Sequence, residues 1–323
     1  MPALSTWCGV DKRYYHPKCD RHFVHVIPEA PAYTDIREGY IEHASRNPWS
    51  EVISETAFRA LSVDRASDYW TNPHTVYVLW TSMPAPNDED RYSDDARHAE
   101  VYGVYSEALD IKPSRMLLQH RESWERYRTE CAPTYDAVLC HTPEIAYQIN
   151  RATDRAAYVL PVGWNPQTMG RPDWKRPRSR RYAFHGSPVG LRAKEYPELE
   201  RECTNLTGLF GAALLKELRD TEATIYVPHS PVRSFSSWRL WQCVATGTAM
   251  VVPGMPWSLD VWPADARQHL QSWRILPAFH FHDARPPADW LALARDMHED
   301  LGPEFTLDRC IDNYLVEAVL DLE

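Results

Sequence analysis

Short runs of β-branched and aromatic residues alternate with longer amphipathic segments along most of the chain. Runs of this kind, each followed by a turn or a polar residue, are typical of buried strands. The alternation predicts an α/β protein with parallel sheets, whose ligands bind at the carboxyl ends of the strands. Predicted strands cover residues 23–27, 75–81, 115–119, 136–141, 156–161, 223–228, 248–252 and 278–283, and another opens at Tyr182. Predicted helices cover residues 35–62, broken at Pro48, and 96–109, 238–245, 289–301 and 306–322.

The length of 323 residues predicts two domains, each with its own core. We place a first Rossmann-like domain at residues 1–168 and a linker at 169–181. A second Rossmann-like domain follows at 182–305. A helix at 306–323 is expected to pack back on the first domain.

Composition limits the cellular context that the sequence predicts. The formal net charge of −10 argues against a nucleic-acid coat protein, although it allows a local basic cleft. Seven cysteines at irregular spacing indicate free thiols in a reducing compartment. The first residues show no basic stretch followed by an apolar one, and no apolar run is long enough to cross a bilayer. We therefore expect a cytoplasmic protein that has no membrane partner.

One group of residues near the start resembles a metal site in its residue types. Cys8, His16, Cys19 and His22 offer the sulfur and nitrogen ligands that zinc prefers. Their spacing matches no standard zinc finger, and the neighbouring aromatic residues favour simple packing. We predict no metal here, with zinc as the alternative.

The linker contains a basic segment at residues 171–181, which is rich in arginine and proline. Lys175, Arg178 and Arg180 are its candidate phosphate contacts, and Trp174 is a candidate for stacking on a base. One interpretation is a basic rim on the interdomain cleft, for the phosphates of a donor or of a nucleic-acid acceptor. The alternative is a solvated linker.

The most informative stretch is residues 230–253, which reads as a loop, a helix and a strand. Serine hydroxyls precede the helix, and Gly247 ends it as a residue free to take a positive φ. A helix N-terminus flanked by Arg233 and Arg239 suits an anion, because its backbone N–H groups are unpaired and its dipole favours negative charge. An ordinary capped helix is the alternative.

The same stretch resembles a known family. Its pattern S-x-R-x-W-Q-x-x-A-x-G-T-x-x-V, from Ser237 to Val251, is similar to the donor-binding segment of GT-B glycosyltransferases, especially the spore-coat type. Those enzymes carry an acidic residue that hydrogen-bonds the ribose where this chain has Gln242. The segment F-x-G-x-x-x-x-x-R, from Phe184 to Arg192, resembles the start of their donor domain. The resemblance covers residues 180–301 and is faint before residue 136.

The resemblance implies a GT-B fold, in which two Rossmann-like domains face each other across a cleft. It also implies a hexosyltransferase whose donor is a nucleoside diphosphate sugar, with a UDP-sugar as our first expectation, and which needs no metal cofactor. The implied donor-binding residues are Gly186, Ser187, Arg192, His229, Arg233, Ser236, Ser237, Arg239 and Gln242. Candidate catalytic bases in the first domain, each just after a predicted strand, are His120, Glu122 and His141.

The acceptor follows less directly from the sequence. The basic linker and the thirteen tryptophans are compatible with a nucleic-acid acceptor. Phage enzymes that glucosylate hydroxymethylated bases in DNA are also compact GT-B proteins, so a hydroxymethylated DNA base is our first hypothesis. A glycan or protein acceptor is the alternative. A further alternative, which the neutral Gln242 favours, is a non-catalytic nucleotide-binding or nucleic-acid-binding protein on the same fold.

Overall fold

The structure, a computed structural model, describes residues 12–58, 74–80, 100–105, 137–140, 146, 150, 156–186, 201, 203–226, 237–251 and 290–322. In chain order, strands β1 to β6 are His22–Val26, Ser50–Ile53, Thr75–Leu79, Glu100–Tyr105, Ala137–Cys140 and Ala157–Val159. They form one parallel sheet in the order β2-β1-β3-β4-β5-β6.

A second parallel sheet follows along the chain. Its strands β7 to β10 are Arg180–Phe184, Thr204–Asn205, Thr221–Ile225 and Ala249–Val251, in the spatial order β10-β9-β7-β8. In both sheets the first strand has the second strand on one side and the third on the other. This reversal of direction is the place where open parallel sheets bind ligands. The predicted α/β class with parallel sheets is therefore confirmed.

The helices connect the strands or follow the second sheet. Helices α1, α2 and α3 are Thr34–Arg46, Gly211–Leu218 and Ser237–Thr246, and α4 is Trp290–Leu301. The C-terminal segment comprises α5 (Leu307–Cys310), a π-helical turn (Ile311–Leu315) and α6 (Val316–Leu322). No helix in the described part of the chain is long and apolar enough to span a membrane.

Two of the predicted helices are wrong in part. The predicted helix at 35–62 ends at Arg46, and β2 follows at Ser50 because Pro48 interrupts the helical pattern. The segment Glu100–Tyr105 is β4 instead of part of a helix at 96–109. Its valines and tyrosines favour an extended chain, and pairing with β3 and β5 fills the gap between them. The predicted strands at 115–119 and 278–283 lie outside the described residues.

One hydrophobic cluster joins the two sheets and the C-terminal segment. Phe23 of β1, Trp241 of α3 and Leu315 are all fully buried within it. The Trp241 ring stacks on Phe305, with ring centroids 5.0 Å apart, and its Nε1 donates a hydrogen bond to the Pro161 carbonyl. The middle of α3 is thereby held against the segment that leaves the first sheet.

Carboxylates of the C-terminal segment contact α1 and the chain that precedes β1. Asp308 accepts a hydrogen bond from His43 at 2.6 Å and pairs with Arg46 at 3.2 Å. Asp312 lies 3.0 Å from the ring nitrogen of His16. The backbone also holds this segment, because the Trp164 N–H donates to the Phe305 carbonyl and the Leu307 N–H donates to the Trp164 carbonyl, on either side of Thr306.

Gly247 permits both the backbone turn after α3 and a close contact. Its φ is +67°, and a Cβ added there would lie 2.8 Å from Pro172 and from the Trp174 ring. Gly208, at φ +84°, has nothing within 4 Å of such a Cβ. We expect Gly208→Ala to cost about 1–2 kcal/mol of unfolding free energy, for the left-handed backbone alone. Gly247→Ala should cost about 1–3 kcal/mol more, for the clash. Urea denaturation checks both, and equal losses would contradict the packing at Gly247.

The ion pair at Asp308 predicts a dependence of stability on pH. The hydrogen bond from His43, with Arg46 beside it, lowers the pKa of Asp308 to about 2. The pKa in the unfolded chain is about 3.9, so the contribution is complete above that value and is lost as the pH falls through about 2. Asp308→Asn should cost about 1 kcal/mol at pH 7, because the pair is half exposed. That difference should vanish in acid. Glu317→Gln, an exposed change on α6, is the control.

Candidate functional site

The site lies at the carboxyl edge of the second sheet, where its strand order reverses between β7 and β9. Gly186 and Tyr226 lie just beyond the ends of these two strands, and α3 begins at Ser237. Gly186 has a φ of +145°, which favours glycine, and its carbonyl accepts a hydrogen bond of 2.8 Å from Thr207 Oγ1. The predicted donor-binding Gly186 is therefore placed at the reversal point.

Arg239, in the first turn of α3, is the main cation of this site. Its guanidinium carbon lies 5.3 Å from the centre of the Tyr226 ring. Its Nη1 is enclosed by protein, and in the described part of the chain it has neither a hydrogen-bond acceptor nor a carboxylate partner. Burial lowers its pKa, yet an arginine keeps its charge under all ordinary conditions. An enclosed cation with no anion among the described residues is costly, and a bound anion would offset that cost.

The backbone around Arg239 favours the same kind of ligand. The N-terminal N–H groups of α3 have no partner within the helix, and the helix dipole adds positive potential at that end. The predicted end of this helix at Gly247 and the strand after it are confirmed. A helix start beside a buried arginine can bind a phosphate group.

Gln242 lies one turn further along α3 and contacts helix α1, which follows the first strand of the first sheet. Its Nε2 donates a hydrogen bond of 2.8 Å to Oδ2 of Asp35, in the first turn of α1. Asp35 also lies beside Gly211, the first residue of α2. The starts of α1 and α2 therefore meet beside the middle of α3. Because each helix follows a strand, its start marks the carboxyl edge of its sheet, and the two carboxyl edges face each other here.

Asp35 and Tyr226 are site residues that the sequence did not reveal. Asp35 sits in an unremarkable acidic first turn, and only the fold brings it to Gln242. Tyr226 belongs to a predicted strand, where a buried tyrosine is ordinary. An acidic residue near a predicted helix start is the one sequence signal at Asp35. It does not identify the partner, because Gln242 lies 207 positions away in the chain.

The predicted basic rim lies at the opposite edge of the second sheet. Arg178 donates to the Thr221 carbonyl at 2.6 Å and to the Thr246 carbonyl, at the end of α3, at 3.1 Å. Arg180 pairs with Glu217 at 2.5 Å. Helix α3 is about 15 Å long at 1.5 Å per residue, and these contacts are at its far end. Arg178 and Arg180 thus lie far from the start of α3, and their role as a phosphate rim stays a prediction.

The other two rim candidates are close to these arginines. Trp174 packs on Gly247, lies 5.6 Å from the His298 ring and has Arg295 over its face at 5.5 Å. A ring held in this way is part of the packing between the linker and α4. Lys175 is exposed.

The histidines and cysteine of the possible zinc site have other contacts. His16 faces Asp312, and His22 Nδ1 contacts the Tyr14 carbonyl at 3.1 Å. Cys19 is buried in the main cluster, and Cys8 lies outside the described residues. Within the described residues no group of three or more His, Cys, Asp and Glu side chains could hold a metal ion.

The remaining predicted site residues lie outside the described part of the chain, or have only their backbone within it. The backbone alone is described for Ser237. The predicted catalytic and donor-binding residues outside the described part are His120, Glu122, His141, Ser187, Arg192, His229, Arg233 and Ser236. Their roles stay predictions.

Comparisons with known proteins give little further guidance. No protein-family profile matches the sequence, and no curated protein is similar to it. A solved structure titled "Glycosylation Associate Protein (Gap123) complex from Streptococcus agalactiae" is similar at 8% sequence identity and a TM-score of 0.36. The match covers 82% of this chain and 54% of that chain, so this protein spans about half of its length.

The placement of Arg178 predicts a structural role that can be measured. Its guanidinium binds carbonyl oxygens at the ends of α2 and α3, and burial lowers its pKa. We expect Arg178→Gln to lower the free energy of unfolding by about 2–4 kcal/mol, since several buried carbonyls lose their donor. Lys175→Gln, a matched change at an exposed position, should stay within about 0.5 kcal/mol. If Arg178→Gln leaves the free energy of unfolding unchanged in chemical denaturation, Arg178 is a solvent-facing residue of the linker instead.

Proposed function

We propose that this protein is a GT-B glycosyltransferase that transfers a sugar from a nucleoside diphosphate to a hydroxyl acceptor. The observation that carries the proposal is Arg239, an enclosed cation without a carboxylate partner among the described residues, at the start of a helix. It lies next to the strand reversal of the second sheet, where a parallel sheet binds ligands. A diphosphate satisfies both the guanidinium and the helix N–H groups.

The arrangement of the two sheets favours a donor and an acceptor over a single ligand. Their carboxyl edges meet where Asp35 of α1 contacts Gln242 of α3. A donor held by the second sheet would therefore point its sugar towards the first sheet. This layout, together with the sequence pattern from Ser237 to Val251, supports the GT-B assignment.

The proposed reaction requires stabilisation of one departing group. The acceptor oxygen attacks the anomeric carbon, and the bond between that carbon and the phosphate oxygen breaks, with its electron pair leaving on the diphosphate. Arg239 and the start of α3 would stabilise this charge. The acceptor proton passes to a base, for which His120, Glu122 and His141 remain the predicted candidates. The proposal includes no metal ion.

For the acceptor, a hydroxymethylated base in DNA remains the first hypothesis to test. The linker no longer supports it, because Trp174, Arg178 and Arg180 pack at the far edge of the second sheet. Glycosylation assays on DNA, glycan and protein acceptors with mixed sugar nucleotides, read by mass spectrometry, identify the acceptor class. A binding protein without activity would give nucleotide affinity but no product with any acceptor.

Replacement of Arg239 tests the proposal directly. We expect Arg239→Ala to weaken the binding of UDP, measured by calorimetry, about 30- to 150-fold, which corresponds to about 2–3 kcal/mol for a charged hydrogen bond. Arg239→Lys should retain part of the affinity, because it keeps the charge but loses the planar fork. Hydrolysis of UDP-glucose should fall in parallel.

The control is Arg309→Ala, which removes an exposed arginine from the C-terminal segment and should leave UDP binding unchanged. If Arg239→Ala binds UDP, ADP, GDP and CDP as the unmodified protein does, the phosphate site is assigned to the wrong residue. If the unmodified protein binds none of these nucleotides at millimolar concentration, the proposed function is wrong.

A further inference from the structure

Arg239 of the proposed phosphate site lies on an aromatic ring. Its guanidinium carbon is over the Tyr226 ring, 5.3 Å from the ring centre. This distance is within the range of about 6 Å at which the negative face of a ring attracts a cation. Tyr226 is 5% exposed, whereas part of Arg239 stays accessible although its Nη1 is enclosed. The ring is thus buried beneath a cation that solvent, and therefore a ligand, can still reach.

The register between helix α3 and strand β9 determines this contact. Oγ1 of Thr224 in β9 and Sγ of Cys243 in α3 lie 3.2 Å apart. Tyr226 comes two residues after Thr224, and two residues of extended chain cover about 6.6 Å on the same face. Arg239 comes four residues before Cys243, and four residues of helix cover about 6 Å on the same face. Because the two steps nearly match, the contact at Cys243 places Arg239 over Tyr226.

A ring suits this position better than a carboxylate if Arg239 binds an anion. A carboxylate would neutralise the guanidinium and occupy the N–H groups that a phosphate needs. An aromatic face attracts the cation without accepting its in-plane N–H bonds, so the charge and the donors remain available. In the described part of the chain, Arg239 has this ring and no carboxylate beside it. The contact therefore holds the cation and leaves its binding groups to a ligand.

The same contact favours the charged form of the arginine. Burial lowers the pKa of Arg239, whereas Tyr226 and Cys243 act in the opposite direction. Attraction between a cation and a ring is stronger where water is excluded, as it is around Nη1. A side chain that is already fixed also loses less conformational freedom when a ligand binds.

We propose that Tyr226 is a positioning residue of the phosphate site, whose ring holds the Arg239 guanidinium in place for the diphosphate. This inference rests on the proposed function, because it concerns the arginine to which that function assigns the diphosphate. Tyr226 acts through Arg239 and makes no demand on the base or the sugar. It should therefore affect the binding of every nucleoside diphosphate, and of pyrophosphate, to a similar extent.

The experiment measures the binding of UDP and of inorganic pyrophosphate by calorimetry. We expect Tyr226→Leu, which keeps an apolar side chain but has no ring, to weaken both about 5- to 30-fold, as loss of a shielded cation–π contact does. Tyr226→Phe keeps the ring and should stay within about twofold of the unmodified protein.

Tyr182→Leu is the matched control for the loss of a ring. The Arg181 guanidinium carbon lies over the Tyr182 ring at the same 5.3 Å, and neither residue belongs to the phosphate site. This variant should bind both ligands normally. If it weakens them as much as Tyr226→Leu does, the effect at position 226 is a general loss of packing and the inference is wrong.

A graded change of the ring separates positioning from packing. Phenylalanine analogues with increasing ring fluorination, introduced at position 226, keep the shape of the ring and progressively remove the negative charge of its face. We expect the affinity for UDP to fall stepwise from phenylalanine to trifluorophenylalanine, by at least about threefold in total. Equal affinity along the series would overturn the inference, because a ring that only fills space predicts no trend.

A double variant tests whether the ring acts through the arginine. In the Arg239→Ala protein, Tyr226→Leu should cause no further loss of affinity for UDP, because the ring then has no cation to hold. Independent losses that multiply in the double variant would contradict the inference.

Failure of the inference and failure of the proposed function give different results. If Arg239→Ala weakens UDP binding while Tyr226→Leu and the fluorinated series do not, only the inference is wrong. If the unmodified protein binds neither UDP nor pyrophosphate at millimolar concentration, both are wrong. If Tyr226→Leu does not fold, Tyr226→Phe and the fluorinated series decide, because they keep the shape of the ring.

Discussion

The burial of Trp241 is the interaction on which the arrangement of this site depends. Its indole is fully buried, donates to the Pro161 carbonyl and stacks on Phe305. These contacts fix α3 against the chain that leaves the first sheet and against the start of the C-terminal segment. Gln242, the next residue, then necessarily meets α1. An apolar contact therefore sets the geometry of a polar site, since a tightly packed side chain leaves its neighbours little freedom.

The same arrangement separates two buried charges. Arg239 of α3 and Asp35 of α1 each keep an enclosed polar atom that has no partner among the described residues. A protein selected only for stability would pair them with each other or replace them with apolar residues. The structure instead stacks Arg239 against Tyr226 and gives Asp35 a single amide hydrogen bond. Both groups are thus positioned in advance, and a bound ligand has little reorganisation to impose.

The sequence predicts most of the local structure of this site and little of its long-range geometry. The helix before Gly247 follows from local signals, and buried strands such as Thr75–Leu79 follow from β-branched residues. The segment Glu100–Tyr105 was mispredicted because its place between two strands decides its conformation. Arg178 looked solvated among other cations, because the carbonyls that it binds belong to distant helix ends. Asp35 was missed for the same reason.

A site between two sheets depends on how the sheets are held together. The second sheet offers Arg239 and a helix start, which suit a phosphate group. The hydrogen bond from Gln242 to Asp35 joins α3 to α1, and the buried Trp241 joins α3 to the chain that leaves the first sheet. The phosphate site would therefore provide affinity for the donor, and these contacts would set where the first sheet presents the acceptor.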